Sequence, residues 1–120
     1  MSQARQQLGK RGEALAESFL VGRGYELLER RFRCRSGEID LILDQRGTLV
    51  FVEVKARAGL GYGAPAAAVT PRKRRLICRA ALWFLARKGW LERPCRFDVI
   101  EVLDRQGETE IHHIPDAFRD

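Results

Sequence analysis

No stretch of this sequence approaches the roughly 20 consecutive apolar residues that a membrane-spanning helix needs. The polar opening, Met1 to Lys10, also has none of the apolar core of a signal peptide. A cytoplasmic location with no membrane partner is the resulting expectation. Cysteine is scarce, and Cys34, Cys78 and Cys95 are odd in number and scattered. No two of them stand at the spacing of a zinc site, so they read as reduced thiols. Repeats, low-complexity tracts and Pro/Ser-rich linkers are absent. With a length of 120 residues, residues 1–120 therefore read as a single domain. A hydrophobic fraction of 45% and a charged fraction of 32% exclude a disordered or membrane-embedded chain.

One absence is local. Between Val54 and Leu91 there is no acidic residue, while Lys55, Arg57, Arg72, Lys73, Arg74, Arg75, Arg79, Arg87 and Lys88 all fall there. The whole chain carries a net charge of +6. A basic balance concentrated in one segment points to a polyanionic partner.

Leu8, Gly12, Leu15, Ala16, Phe19 and Leu20 recur at helical steps between Gln3 and Val21, with Gly22 and Gly24 as stop signals. Glycines at positions 9 and 12 each cost about 1 kcal/mol inside a helix. Either the helix starts after them or another chain segment comes close there. Tyr25 to Arg33 reads as a strand weakened by its charges. Gly37 to Asp44 and Thr48 to Ala56 form two apolar runs around Gln45, Arg46 and Gly47, the pattern of a β-hairpin. Alternation sets Ile39, Leu41 and Leu43 on one face of the first run and Ile42 on the other. Val50, Val52 and Val54 likewise oppose Leu49 and Phe51. Both faces are apolar, so the hairpin belongs in a sheet sandwiched by helices.

A glycine-rich loop from Ala58 to Val69 follows, with Tyr62 in a segment suited to a flap. Thr70 as N-cap and Pro71 at the first helical position open a second helix. Leu76, Ile77, Ala80, Ala81, Phe84 and Leu85 give it an apolar stripe, and Gly89 closes it. Phe97 to Leu103 is another strand, and Thr109 to Ile114 a short last one. The expected order is αβββαβ plus that strand, a mixed central sheet flanked by helices. His112 and His113 on the last strand read as structural.

A two-residue turn at Arg46 and Gly47 would set Asp40 opposite Glu53 and Glu38 opposite Lys55, all on one face. A three-residue loop would shift that register. Facing carboxylates repel, and a hard divalent cation such as magnesium relieves them with only one or two protein carboxylates. Such an ion polarises a phosphodiester, and a nearby ammonium holds the attacking water or stabilises developing charge. The competing reading is a set of solvated charges on an exposed hairpin. It is disfavoured by the flanking Leu41, Ile42, Phe51, Val52 and Val54, among which unpaired charge is expensive.

Gly37-Glu38-Ile39-Asp40-Leu41-Ile42 followed by Leu49-Val50-Phe51-Val52-Glu53-Val54-Lys55 resembles the PD-(D/E)XK nuclease signature. More narrowly, the chain resembles the YraN-type family of small bacterial proteins, which are similar to archaeal Holliday junction resolvases. That match runs from Gly9-Lys10-Arg11-Gly12-Glu13 through Arg96-Phe97-Asp98-Val99-Ile100 to Ile114-Pro115-Asp116-Ala117-Phe118. The resemblance implies a restriction-endonuclease-like core. It further implies Asp40 and Glu53 as magnesium ligands, the Val54 carbonyl as a further donor, Lys55 as catalytic ammonium and Glu13 as an additional acid. Manganese would serve in place of magnesium, and a homodimer follows by analogy with resolvases. The sequence departs from the motif in one place, since Ile39 rather than proline precedes Asp40.

Arg72, Lys73, Arg74 and Arg75 crowd the first turn of the second helix, where the macrodipole already presents positive charge. A docked phosphate backbone would reverse that penalty. Together with Arg57 and Arg79 these residues are the expected nucleic-acid contacts; a solvated charge run is the alternative. The leading expectation is a magnesium-dependent endonuclease acting on DNA, including branched structures. A non-catalytic nucleic-acid binding or adaptor protein and an RNA-directed nuclease are the alternatives.

Overall fold

The computed structural model describes residues 3–58, 69–105 and 107–119. The elements run α1 (Gln3–Gly22), β1 (Glu26–Cys34), β2 (Gly37–Gln45), β3 (Thr48–Ala58), α2 (Pro71–Lys88), β4 (Cys95–Arg105) and β5 (Glu108–Phe118). All five strands join one sheet in the order β1-β2-β3-β4-β5. Only the β3–β4 pair is parallel, and α2 is the crossover that makes it so. The sheet is mixed and has a helix on each face, as the two-sided apolar pattern demands. The last strand is as long as β3 and β4 rather than short, because its pairing with β4 continues through a register shift to Phe118.

Local chemistry accounts for the element ends. Arg46 and Gly47 both have positive φ, the left-handed pair of a tight hairpin turn, and Gln45 pairs directly with Thr48. Asp44 Oδ1 accepts from the Gly47 N–H at 2.8 Å and so supports the turn. The Thr70 hydroxyl accepts from the Lys73 N–H at the start of α2, and Gly89, at φ 73°, caps its end. β1 lies at a sheet edge, which is where its charges belong, since charged edges resist pairing with other chains.

The core has two halves. Phe32, Ile39, Ile42, Leu49, Phe51 and Val99 pack under Ile77, Ala80, Ala81, Phe84 and Leu85 of α2. Leu41, Leu43, Val50, Val52, Ile100 and Val102 pack under Ala16 and Leu20 of α1. Ile39 therefore shares a face with Ile42 and not with Leu41 and Leu43. Strict alternation fails between Ile39 and Ile42, three positions apart yet on one face. Gly12 is the close-approach position: a Cβ there would stand 2.8 Å from the Ala56 Cβ, whereas one at Gly9 would meet nothing within 4 Å.

Candidate functional site

The expected hairpin register holds from Gln45↔Thr48 to Leu41↔Val52 and stops there. Asp40 and Glu53 stand just beyond the last pair. Asp40 Oδ2 instead accepts from the Val54 backbone N–H at 2.8 Å, so a side chain takes a donor that a regular ladder would have used. Where the strands cease to pair, their polar groups are free to face a ligand. Glu38 does not meet Lys55: it pairs across β1 with Arg33 at 3.2 Å. Lys55 instead neighbours Lys73 from α2.

Glu53 is only 7% exposed, which overturns the reading of a solvated hairpin face. Asp40 has its carboxyl pushed up to about 9, first by burial, then by the hydrogen bond and charge of Glu53. The charge of Glu13 adds to this, and the Val54 N–H opposes it. Of the two carboxyls, Asp40 is thus the one that resists ionisation at neutral pH. Lys73 Nζ lies 3.0 Å from Glu53 Oε2 but outside hydrogen-bond geometry, leaving that buried oxygen without a hydrogen-bond partner. Burial, then Lys73 itself, lowers the pKa of Lys55. Burial also opposes the charge on Lys73, yet Lys55, Glu53 and Asp40 together hold its pKa above the usual lysine value.

These groups border a cavity of about 270 Å³ between Gly37, Glu38, Asp40 and Glu53 on the strands and Lys73, Leu76 and Ile77 on α2. Among the described residues no three His, Cys, Asp or Glu side chains converge as a metal cluster. Two neighbouring carboxyls, Asp40 resisting ionisation and Glu53 Oε2 with only the Lys73 ammonium beside it, nonetheless suit magnesium, which keeps water for its remaining ligands. Glu13 does not enter this cavity. It pairs with Arg31 at 3.0 Å beside a separate cavity on the α1 side, and acts on Asp40 only through space.

The expected nucleic-acid contacts divide. Lys73 turns into the carboxylate cluster, and Arg74 Nε donates to the Val69 carbonyl at 2.9 Å with its guanidinium near the Phe118 ring. Half of the basic first turn thus has partners within the fold, a structural explanation that spacing alone did not supply. Arg57 pairs with Glu101 at 3.2 Å, largely buried. Arg72, Arg75 and Arg79 are exposed and, among the described residues, have no ion-pair partner. The flap expected at Gly59 to Gly63 with Tyr62 lies outside the described residues.

Two buried acids on β4 escaped the sequence reading. Glu101 is 3% exposed and stands beside Lys55 in the parallel register. Asp98 is fully buried and gathers Arg96 at 3.0 Å, His113 Nε2 at 2.7 Å and the Asp116 N–H at 2.9 Å. Arg96 in turn donates to Gln45 and Tyr25. The missed signal was a pair of carboxylates inside the apolar run Phe97 to Leu103. His113 has the structural role expected of it, and among the described residues the three cysteines form no disulfide.

Comparison with known proteins yields one family. The profile described as "Uncharacterised protein family UPF0102" matches residues 12–102. A UPF0102 protein of Geotalea uraniireducens (strain Rf4) is 51% identical over 112 residues, covering 92% of this chain and 88% of the relative. That of Clavibacter michiganensis subsp. michiganensis is 50% identical over 117 residues, covering 93% and 96%. A third, from Symbiobacterium thermophilum, is 53% identical over 95 residues, covering 79% and 80%.

Proposed function

We propose, for a chain that belongs to the UPF0102 family, that it is a magnesium-dependent endonuclease hydrolysing DNA phosphodiesters on a restriction-endonuclease-like core. The observation that carries this reading is the pairing of Asp40 and Glu53 where β2 and β3 part, with Lys55 and Lys73 beside them. A carboxyl held from ionising beside a buried second carboxyl is a costly arrangement for stability alone. It is useful to a protein that must bind a hard cation. The resemblance to PD-(D/E)XK nucleases and archaeal resolvases points the same way and extends the substrate to branched DNA.

Asp40 and Glu53 would hold the ion, with the Val54 carbonyl as a further donor. When bound, magnesium would supply Lewis-acid charge at the phosphate, and manganese, another oxygen-binding divalent ion, would serve in its place. The protein does the rest. Lys55, whose ammonium gives up its proton more readily than usual, is suited to receive one from the attacking water. The water oxygen then bonds to phosphorus as the phosphorus–oxygen bond to the sugar breaks, and the leaving oxygen takes up a proton from solvent. Lys73, once its contact with Glu53 is replaced, supplies positive charge to the phosphoryl oxygens. Glu13 tunes Asp40 electrostatically from α1.

The test is incubation of wild type and Asp40→Ala with duplex, single-stranded and four-way-junction DNA, with and without magnesium or manganese. Cleavage by wild type alone, and only with metal, is expected, while Asp40→Ala still binds DNA. Equal cleavage by both proteins would remove this reading. One observation favours the non-catalytic adaptor as second reading: Lys73 already places a cation 3.0 Å from Glu53. If magnesium gives no gain in heat stability that Glu53→Ala abolishes, the adaptor reading replaces the enzyme. RNA enters as a competitor in the same assays, at fixed salt.

A further inference from the structure

We infer that the outer face of α2 is a binding surface for single-stranded nucleic acid, on which Trp83 stacks an unpaired base while Arg72, Arg75 and Arg79 track the backbone. This rests on the proposed function for the class of partner and goes further in specifying what that partner must present.

At helical spacing, residues 72, 75, 79 and 83 fall on one narrow face. All four are exposed, opposite the stripe that buries Ile77, Ala80, Ala81, Phe84 and Leu85. From Arg72 to Trp83 the stripe runs about 16 Å at the rise of an α-helix, a span of several backbone phosphates. Its first turn adjoins the carboxylate cavity, since Lys73, Leu76 and Ile77 of the same helix line that cavity. A strand lying along the stripe would therefore lead into the site.

Trp83 is 49% exposed and takes no part in either core cluster. Among the described residues it makes no ring contact, cation–π contact or hydrogen bond. The other tryptophan, Trp90, packs edge-on against Phe84 and lies under Arg93. A large aromatic surface left in water beside unpaired arginines is poorly explained by packing. The charge excludes a like-charged copy of the same face as the favoured occupant. An apolar protein partner would bury three guanidinium groups without counter-charge. A single strand satisfies both features, because each base offers a π face and each phosphate a negative charge. Blunt duplex, its bases already stacked, satisfies only the arginines.

Binding is measured in the presence of a chelator, so that cleavage plays no part, using a short oligo-dT and a blunt duplex of equal length. In Trp90→Phe, Trp83 is the only remaining fluorophore of its kind, and oligo-dT should quench it. Trp83→Ala should weaken oligo-dT binding roughly 5- to 150-fold, the range for losing a base-stacking aromatic, with a much smaller effect on duplex. Trp83→Phe should recover most of the loss. The log–log salt dependence for oligo-dT should have a slope of about −2, falling when Arg75 and Arg79 become serine. Unchanged affinity in Trp83→Ala, or binding without quenching, would overturn the proposal. So would concentration-dependent dimerisation that Trp83→Ala abolishes and oligo-dT does not compete, which would assign the face to self-association. Quenching without any metal-dependent cleavage would leave this surface standing and remove the nuclease instead.

Discussion

Asp40 concentrates the physical tension of the molecule in one residue. Its folded carboxyl is pushed up to about 9 against an ordinary value near 4, so above pH 4 the folded chain holds a proton that the unfolded chain has released. Stability of the metal-free protein should therefore fall as pH rises from about 5 to 9. The slope is at most about 1.4 kcal/mol per pH unit, the limit for one proton. Asp40→Asn keeps an acceptor for the Val54 N–H and removes the titration. Its melting temperature should change far less over that range, and should exceed that of wild type at pH 8. Identical pH profiles for the two proteins would show that Asp40 holds no such proton. Magnesium added at pH 8 should release protons into an unbuffered solution of wild type but not of Asp40→Asn, as ligand carboxylates must be deprotonated.

The elements come closest where a small residue stands between them. A methyl group at Gly12 would stand 2.8 Å from the Ala56 Cβ, and neither atom can turn aside. Gly12→Ala gains about 1 kcal/mol of helix propensity but loses about 1 to 3 kcal/mol to overpacking, so its melting temperature should drop. Gly9→Ala meets no neighbour and should raise it by the equivalent of up to about 1 kcal/mol. Thermal unfolding of the two variants side by side checks both signs. Thr70, Pro71 and Gly89 were readable in the sequence because caps are local chemistry. The irregularity at Ile39 was not. Alternation assumes an unbroken ladder, and here tertiary packing pulls Ile39 under α2 while Asp40 captures a backbone donor.

At the scale of the whole molecule, the fully buried Asp98 and the half-buried Asp40, with opposite tendencies, bracket its pH range. Burial raises the pKa of Asp98, but His113, Arg96 and the Asp116 N–H outweigh it and leave the carboxyl below the ordinary range. A depressed carboxyl contributes stability above its unfolded pKa, near 4, and that stability is lost as pH falls through the folded value. With Asp40 acting from the alkaline side, the metal-free protein should be most stable in mildly acid solution. Asp98→Ala should cost about 3 to 5 kcal/mol at pH 6, since Arg96 loses its counter-charge, and the His113 ring and the Asp116 N–H lose their hydrogen-bond partner, inside the fold. Denaturant melts would measure it, and a loss under about 1 kcal/mol would show that the network tolerates its removal. Among the described residues no helix is long and apolar enough to cross a membrane.

What the sequence determined by itself was everything that depends on near neighbours along the chain. That includes the tight turn at Arg46 and Gly47, the capped second helix, the two-faced apolar hairpin and the likeness to a family of small bacterial proteins, to which the chain belongs. It also brought Asp40 and Glu53 together, because a two-residue turn transmits its register for several residues on either side. Only the tertiary structure decided where that register ends, that Lys73 faces the carboxylates while Arg72, Arg75 and Arg79 face outward, and that Asp98 and Glu101 are buried. The reason is geometric: a charged helix turn points in every direction, and the sheet on which the helix docks selects which charges turn inward.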